Sequence, residues 1–198
     1  FLKSSRPIGR SEKILGMIGE LLTIRDHLDP DTFEASMWTG PDGGLHDFSS
    51  QDVSIEVKVC GSRKGPLIHK VSHLSQLSPV SEGKLYLVSF RAHLDKKGEF
   101  SINDLVEDVR SLDYFKEAWA TEHLNSSLHD AGISDDMDEK HRRFNVIEES
   151  KYEISDGFPT LGIDPAGVSS NIVDILYSLD FSGLDNFLLD PSVDRIKL

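Results

Sequence analysis

The sequence predicts a mixed α/β fold. A core ordered helix, three strands, short helix, strand spans about residues 11–92, and a largely helical and mixed extension follows it. Three observations carry this. Ile14, Leu15, Ile18, Leu21, Leu22 and Ile24 recur at helical spacing. Val53, Ile55, Val57 and Val59 alternate with Ser54, Glu56, Lys58 and Cys60, the period of a half-buried strand. Lys84 to Arg91 (KLYLVSFR) is dense in strand-favouring side chains.

The first helix is expected to start at Glu12 under a Ser11 cap, and Asp29-Pro30-Asp31 ends it. Gly16 and Gly19 weaken it by roughly 1 kcal/mol each against Ala but permit close packing. Phe33 to Thr39 (FEASMWT) reads as a short strand or the approach to one, and Gly40 to Gly44 as a turn. Leu45 to Phe48 and Val53 to Cys60 follow as a hairpin through Ser49 to Asp52. Leu67 to His69 is extended, and Ser72 caps a short helix to Leu77. After the 84–91 strand, Asp95 to Gly98 forms a hairpin turn. Ile102 to Leu112 and Tyr114 to Leu128 read as helices, and Phe144 to Ile154 as a strand. Residues 168–198 give no settled period. The organisation expected is a connector at 1–10, a core at 11–100 and an acidic extension at 101–198 packed on it. The first residue is Phe1 rather than Met, so the connector is expected to continue an upstream region.

At 198 residues, 38% hydrophobic and 28% charged, the chain suits a soluble globular protein. No run approaches the roughly 18 apolar residues of a transmembrane helix, and no signal-peptide pattern opens it. Cys60 is the single cysteine, so an intrachain disulfide and a multi-cysteine zinc site are excluded. It reads as a strand-end thiol rather than a nucleophile, and a cytoplasmic location is expected. The net charge of −13 is uneven. Residues 1–100 hold 13 basic and 13 acidic side chains, and residues 101–198 hold 8 and 21. The second half opposes a polyanion, so nucleic-acid contact must come from local patches or a partner subunit.

The chemistry concentrates between His46 and Cys60. Glu56 and Lys58 share one face of one strand, and the hairpin brings Asp47 beside them. Two neighbouring carboxylates repel by about 4 kcal/mol at 4 Å in an effective dielectric near 20, a cost that a divalent cation removes. Mg²⁺ takes hard oxygen ligands and keeps several waters. Asp47, Glu56 and the Val57 carbonyl suit it, and Mn²⁺ is a substitute. Lys58 suits a phosphate contact or the positioning of a water. Glu20, one turn after Gly16, reads either as an acid drawn to the core edge or as a solvated helix residue. Ser62, Arg63 and Lys64 form a basic loop, which reads as a phosphate cradle or as plain surface. His69 and His73 read as surface side chains, and neither HExxH nor a P-loop is present.

The residues Asp47 and Glu56-Val57-Lys58 resemble the PD-(D/E)xK nuclease superfamily. More closely, GMIGELLTIRD (16–26), MWTGPDG (37–43), HDF (46–48), IEVK (55–58), HLSQL (73–77) and KLYLVSF (84–90) are similar to a bacterial family of PD-(D/E)xK-motif proteins found beside restriction and phage-defence genes. The resemblance implies a restriction-endonuclease-like αβββαβ core over residues 11–100. It implies metal roles for Asp47 and Glu56 and a catalytic role for Lys58. Glu20 matches its first-helix acid and Gln76 its site glutamine. His46 departs from the pattern, standing where the motif has Pro. The function expected is Mg²⁺-dependent DNA endonuclease, with partners such as a separate ATPase subunit or a second copy. The alternative is an inactive nuclease-fold subunit that binds a protein partner or DNA.

Overall fold

Helix α1 (Arg10–Leu22) buries Ile14, Leu15, Met17, Ile18, Leu21 and Leu22, and one wide turn (Thr23–His27) extends it. The Glu12 carboxylate accepts from the Gly9 N–H at 3.3 Å. Glu12 thus does the capping expected of Ser11, and the helix starts at Arg10. The computed structural model describes residues 9–78, 83–134, 137–138, 141–161, 168–169, 171–172 and 175–198. Most of the expected 1–10 connector, and part of the ambiguous 168–198 stretch, lie outside the described residues.

The remaining elements are β1 (Phe48–Ser49), β2 (Val53–Cys60), β3 (Ile68–Val71), β4 (Lys84–Leu94), β5 (Phe100–Ser101), α2 (Ile102–Arg110), α3 (Ala118–Ala131), β6 (Arg143–Glu153) and β7 (Tyr177–Asp180). A mixed sheet runs β1-β2-β4-β6-β5, and β3 pairs with β7 in a separate ribbon. The hairpin expected between the second and third strands forms, with Phe48 opposite Ile55. β2 and β4 are parallel, which sets Lys58 opposite Ser89. β6 runs antiparallel beside β4, with an irregularity between Arg91 and Ala92.

Three local readings differ. Phe33 to Thr39 is not a strand: Ala35–Met37 is a single tight turn, and Trp38 makes one bridge to Phe48. β1 is too short to offer a ladder, so the Met37 and Trp38 N–H groups bond locally to the Glu34 and Ala35 carbonyls. The helix expected after Ser72 is one turn, Leu74–Leu77. The Asp95–Gly98 turn closes at 2.9 Å, but the strand after it pairs with β6 rather than folding back on β4.

Three layers result. Ile55, Val57, Val88 and Phe90 face the α1, α2 and α3 side, with Ile18, Val109 and Leu124. Leu85 and Leu87 point the other way and pack with Cys60, Val71, Tyr152 and Phe181. The tail is tied to the end of α1, where the Ile196 N–H donates to the His27 carbonyl at 2.6 Å. Among the described residues, no helix is long and apolar enough to cross a membrane.

The two helix glycines do different work. A Cβ on Gly19 would lie 2.5 Å from Val59 Cγ2 and 3.0 Å from Val57 Cγ1, whereas one on Gly16 meets nothing within 4 Å. Gly16→Ala is therefore expected to stabilise by up to about 1 kcal/mol through helix propensity. Gly19→Ala is expected to destabilise by about 1–3 kcal/mol through overpacking. Urea unfolding of both variants checks the opposite signs.

Candidate active site

β2 turns Glu56 and Lys58 away from α1, onto the face that carries the β3–β7 ribbon. Glu56 is 2% exposed, and its Oε1 lies 2.6 Å from Lys58 Nζ. The Leu74–Leu77 turn sets Gln76 against the same lysine. Gln76 Oε1 accepts from Lys58 Nζ at 3.4 Å and from the Ser72 N–H at 3.0 Å. Ser72 thus orients the glutamine, and the glutamine and Glu56 together fix the ammonium.

Asp47 arrives from the other edge of β2. Beyond Phe48 there is no strand to receive the Val57 N–H, and Asp47 Oδ2 accepts it at 2.7 Å. The Val57 carbonyl points to the same edge, since N–H and C=O of one strand residue share a side. The Asp47 carbonyl accepts from Thr39 and Gly40 N–H groups, both at 2.9 Å. Gly40 is required here: a Cβ would sit 2.8 Å from Asp47 Oδ1 and 3.1 Å from Glu20 Oε2. Both carboxylates therefore face one point. Glu20 Oε2 accepts from Trp38 Nε1 at 2.6 Å, and buried Trp38 is in turn packed on Phe115 and His123.

Glu20, Asp47 and Glu56 are crowded around one ammonium. Burial, then the Asp47 charge, pushes Glu20 up to about 8. Burial, then the Glu56 charge, pushes Asp47 up to about 8. Glu20 and Asp47 each keep part of their surface open, and water reaching that side works against the shift. Burial also raises Glu56, with Lys58 opposing. Burial lowers Lys58, but Glu56 and Asp47 outweigh it, and its pKa ends above the ordinary range. Lys58 is thus charged, and the ionised cluster carries surplus negative charge. Asp47, Glu56 and the Val57 carbonyl form a hard oxygen set of the size Mg²⁺ uses when it keeps several waters. Among the described residues, no group of three or more His, Cys, Asp or Glu side chains is assembled to hold a metal ion by itself.

The loop at 61–66 lies at the end of β2. Arg63 pairs with Asp95 at 2.9 Å, and Ser62 Oγ donates to the Lys64 carbonyl at 3.0 Å. No side-chain partner holds the Lys64 ammonium among the described residues. Arg91 fixes the loop from below: Nε meets Glu148 at 3.0 Å, and Nη atoms reach Ser62 Oγ at 3.2 Å and the Gly65 carbonyl at 3.1 Å. His69 is not the surface side chain expected. It sits on β3, 1% exposed, with Nε2 2.7 Å from Ser89 Oγ. Sequence reasoning also missed Trp38 and Gly40, although both lie within the MWTGPDG block.

A mixed sheet that places Asp47 at one strand edge and Glu56-Val57-Lys58 on the next strand has the acid, acid, lysine order of PD-(D/E)XK proteins. The chain belongs to the family described as "Putative PD-(D/E)XK family member, (DUF4420)", which it matches over residues 1–182. No curated protein and no solved structure matches it.

The raised carboxylates make a stability prediction for metal-free protein. Between their ordinary values of 4.5 and 3.8 and the folded values of about 8, folded Glu20 and Asp47 hold protons that the unfolded chain releases. Stability must therefore fall as pH rises through that window. With chelator present, Tm is expected to drop by several degrees between about pH 5 and pH 9. Asp47→Asn should flatten the profile, and Mg²⁺ should raise Tm more at pH 8 than at pH 5. A scanning calorimeter reads all three.

Proposed function

We propose that this protein is a Mg²⁺-dependent endonuclease that cleaves DNA phosphodiester bonds, the nuclease component of a bacterial restriction or phage-defence system. The observation that carries the reading is the clustering of three acids beside Lys58: Glu56 pairs with its ammonium at 2.6 Å, and Asp47 and Glu20 face one point at Gly40. Family membership supports the nuclease class.

Asp47, Glu56 and the Val57 carbonyl would hold the ion. When bound, Mg²⁺ or Mn²⁺ supplies charge neutralisation at phosphorus and a more acidic water. The chain's own residues supply the rest. Lys58, steadied by Glu56 and Gln76, presents a fixed cation to a phosphoryl oxygen or to the attacking water. Glu20, anchored through Oε2 by Trp38, keeps Oε1 to accept a proton near neutral pH. Ser62, Arg63 and Lys64 contact the flanking backbone, with Lys64 the uncommitted cation of the two, since Arg63 pairs with Asp95. The acidic second half makes a basic partner surface useful for holding DNA. That partner is a separate ATPase subunit or a second copy, and the cytoplasm is the place of action.

A second reading, an inactive subunit that binds a protein partner or DNA, is favoured by the 2.6 Å Lys58–Glu56 pair, which occupies both groups, and by His46 in place of Pro. Plasmid nicking separates the two. In Mg²⁺ or Mn²⁺ the wild-type chain is expected to cut. Asp47→Ala, Glu56→Gln and Lys58→Ala are each expected to lose about a hundredfold or more in rate. Cleavage unchanged in all three would remove this site from the mechanism. Absence of cutting with and without co-purified partners would favour the binding subunit.

A further inference from the structure

We infer that the cavity beside Lys58 is a nucleotide pocket, which receives one unstacked nucleotide of the strand cut at the Asp47–Glu56–Lys58 site. The inference rests on the nuclease reading and adds the state in which the substrate strand is held.

The cavity has a volume of about 640 Å³ and runs from Lys58 past the 61–66 loop to β3. That lies within the ~300–1,000 Å³ typical of small-ligand pockets. Its lining combines apolar side chains, lysines, the His69 ring and one carboxylate, Glu12, which Lys70 neutralises. Pro66, Ile68 and Leu176 give it an apolar side, and Ile68 and Leu176 are 43% and 46% exposed. These are large apolar groups left in contact with water. Lys64 supplies an uncommitted cation, because Lys70 is engaged by Glu12 at 3.0 Å and Arg63 by Asp95. His69 also lines the space, its Nε2 within reach of Ser89. Burial, then the charges of Lys58 and Arg91, hold the ring neutral, its pKa down to about 3.

An apolar wall, one free cation and one neutral hydrogen-bonding ring do not suit a bare anion, which would call for several free cations. They suit a flat, apolar-faced group tethered to a phosphate. A nucleotide has that chemistry: the base lies on Ile68 and Leu176, its edge meets His69, and its phosphate lies between Lys64 and Lys58. A paired base cannot enter, so the nucleotide must leave the stack, at a cost of a few kcal/mol that is least at a mismatch or in single strands. Arg91 keeps the mouth open by fixing the loop through Ser62 and Gly65.

The test uses the full chain with chelator and duplexes that carry one 2-aminopurine at successive positions around the mapped cut, paired or mismatched. Wild type is expected to raise fluorescence about fivefold at a position adjoining the scissile phosphate, as the base unstacks. Ile68→Trp, which fills the cavity, should abolish the rise at unchanged Tm, and Leu176→Trp does the same from β7's side if the first variant misfolds. A rise that persists in the folded Trp variants overturns the pocket. So does cleavage with no rise at any position, which leaves the nuclease reading standing. Failure of the wild-type chain to bind or cut any nucleic acid overturns both. AMP as a free probe distinguishes the source: saturable AMP binding, lost in Ile68→Trp, with no rise in any duplex assigns the cavity to free nucleotides and overturns the strand-bound form.

Discussion

β1 begins only at Phe48 and is two residues long, and since its register would set Val57 opposite His46, that late start leaves the Val57 N–H facing the sheet edge without a strand to receive it. An unpaired backbone donor in a buried position costs free energy comparable to a lost hydrogen bond. Asp47 satisfies it at 2.7 Å. One bond therefore completes the ladder and parks a carboxylate one residue from Glu56. A longer β1 would have paired Val57 with backbone, and Asp47 would have no reason to reach the edge. The Gly40 turn follows from this placement, because only a residue without a side chain fits between Asp47 and Glu20.

The same cluster is a conflict between folding and chemistry. Burying three acids beside one lysine raises the acids and works against the metal-free fold at neutral pH. The chain counters with fixed donors rather than more cations. Trp38 holds Glu20, the Val57 N–H holds Asp47, and Lys58 holds Glu56. Each carboxylate then has one oxygen committed and one left over, which is the condition for binding an ion or a proton without rearranging the shell. Stability is lost locally and a preorganised set of oxygens is gained.

Much of this was legible because it is local. The 3.6-residue stripe gives α1, strict alternation gives β2, and the turn at Ser49 to Asp52 gives the hairpin that joins Asp47 to Glu56. The face shared by Glu56 and Lys58 follows from the period of a strand alone. What was not legible depends on partners far away in sequence. Phe33 to Ser36 alternates in burial like a strand, but periodicity does not say whether a neighbour exists to pair with it. β3 pairs with β7 across more than a hundred residues, and that pairing is what buries His69. Glu20 could be placed at a helix edge, yet its engagement in the site depends on Trp38, whose indole N–H has no sequence signature apart from the family's MWTGPDG block.

The charge split acquires a different meaning in the folded chain. Counted along the sequence, the acids of residues 101–198 oppose any polyanion. Glu148 is one of them, and on β6 it stands opposite Arg91 at the point where the β4–β6 register shifts. Arg91 is only 6% exposed, so its guanidinium needs a charged partner; an unpaired buried cation would cost several kcal/mol. Glu148 takes Nε, which frees the Nη atoms to hold the 61–66 loop. An acid of the second half is thus what points the chain's basic loop toward the Lys58 cavity. Net charge tallies such an acid as repulsion, but its physical effect is to hold in place the cation-bearing loop beside Lys58.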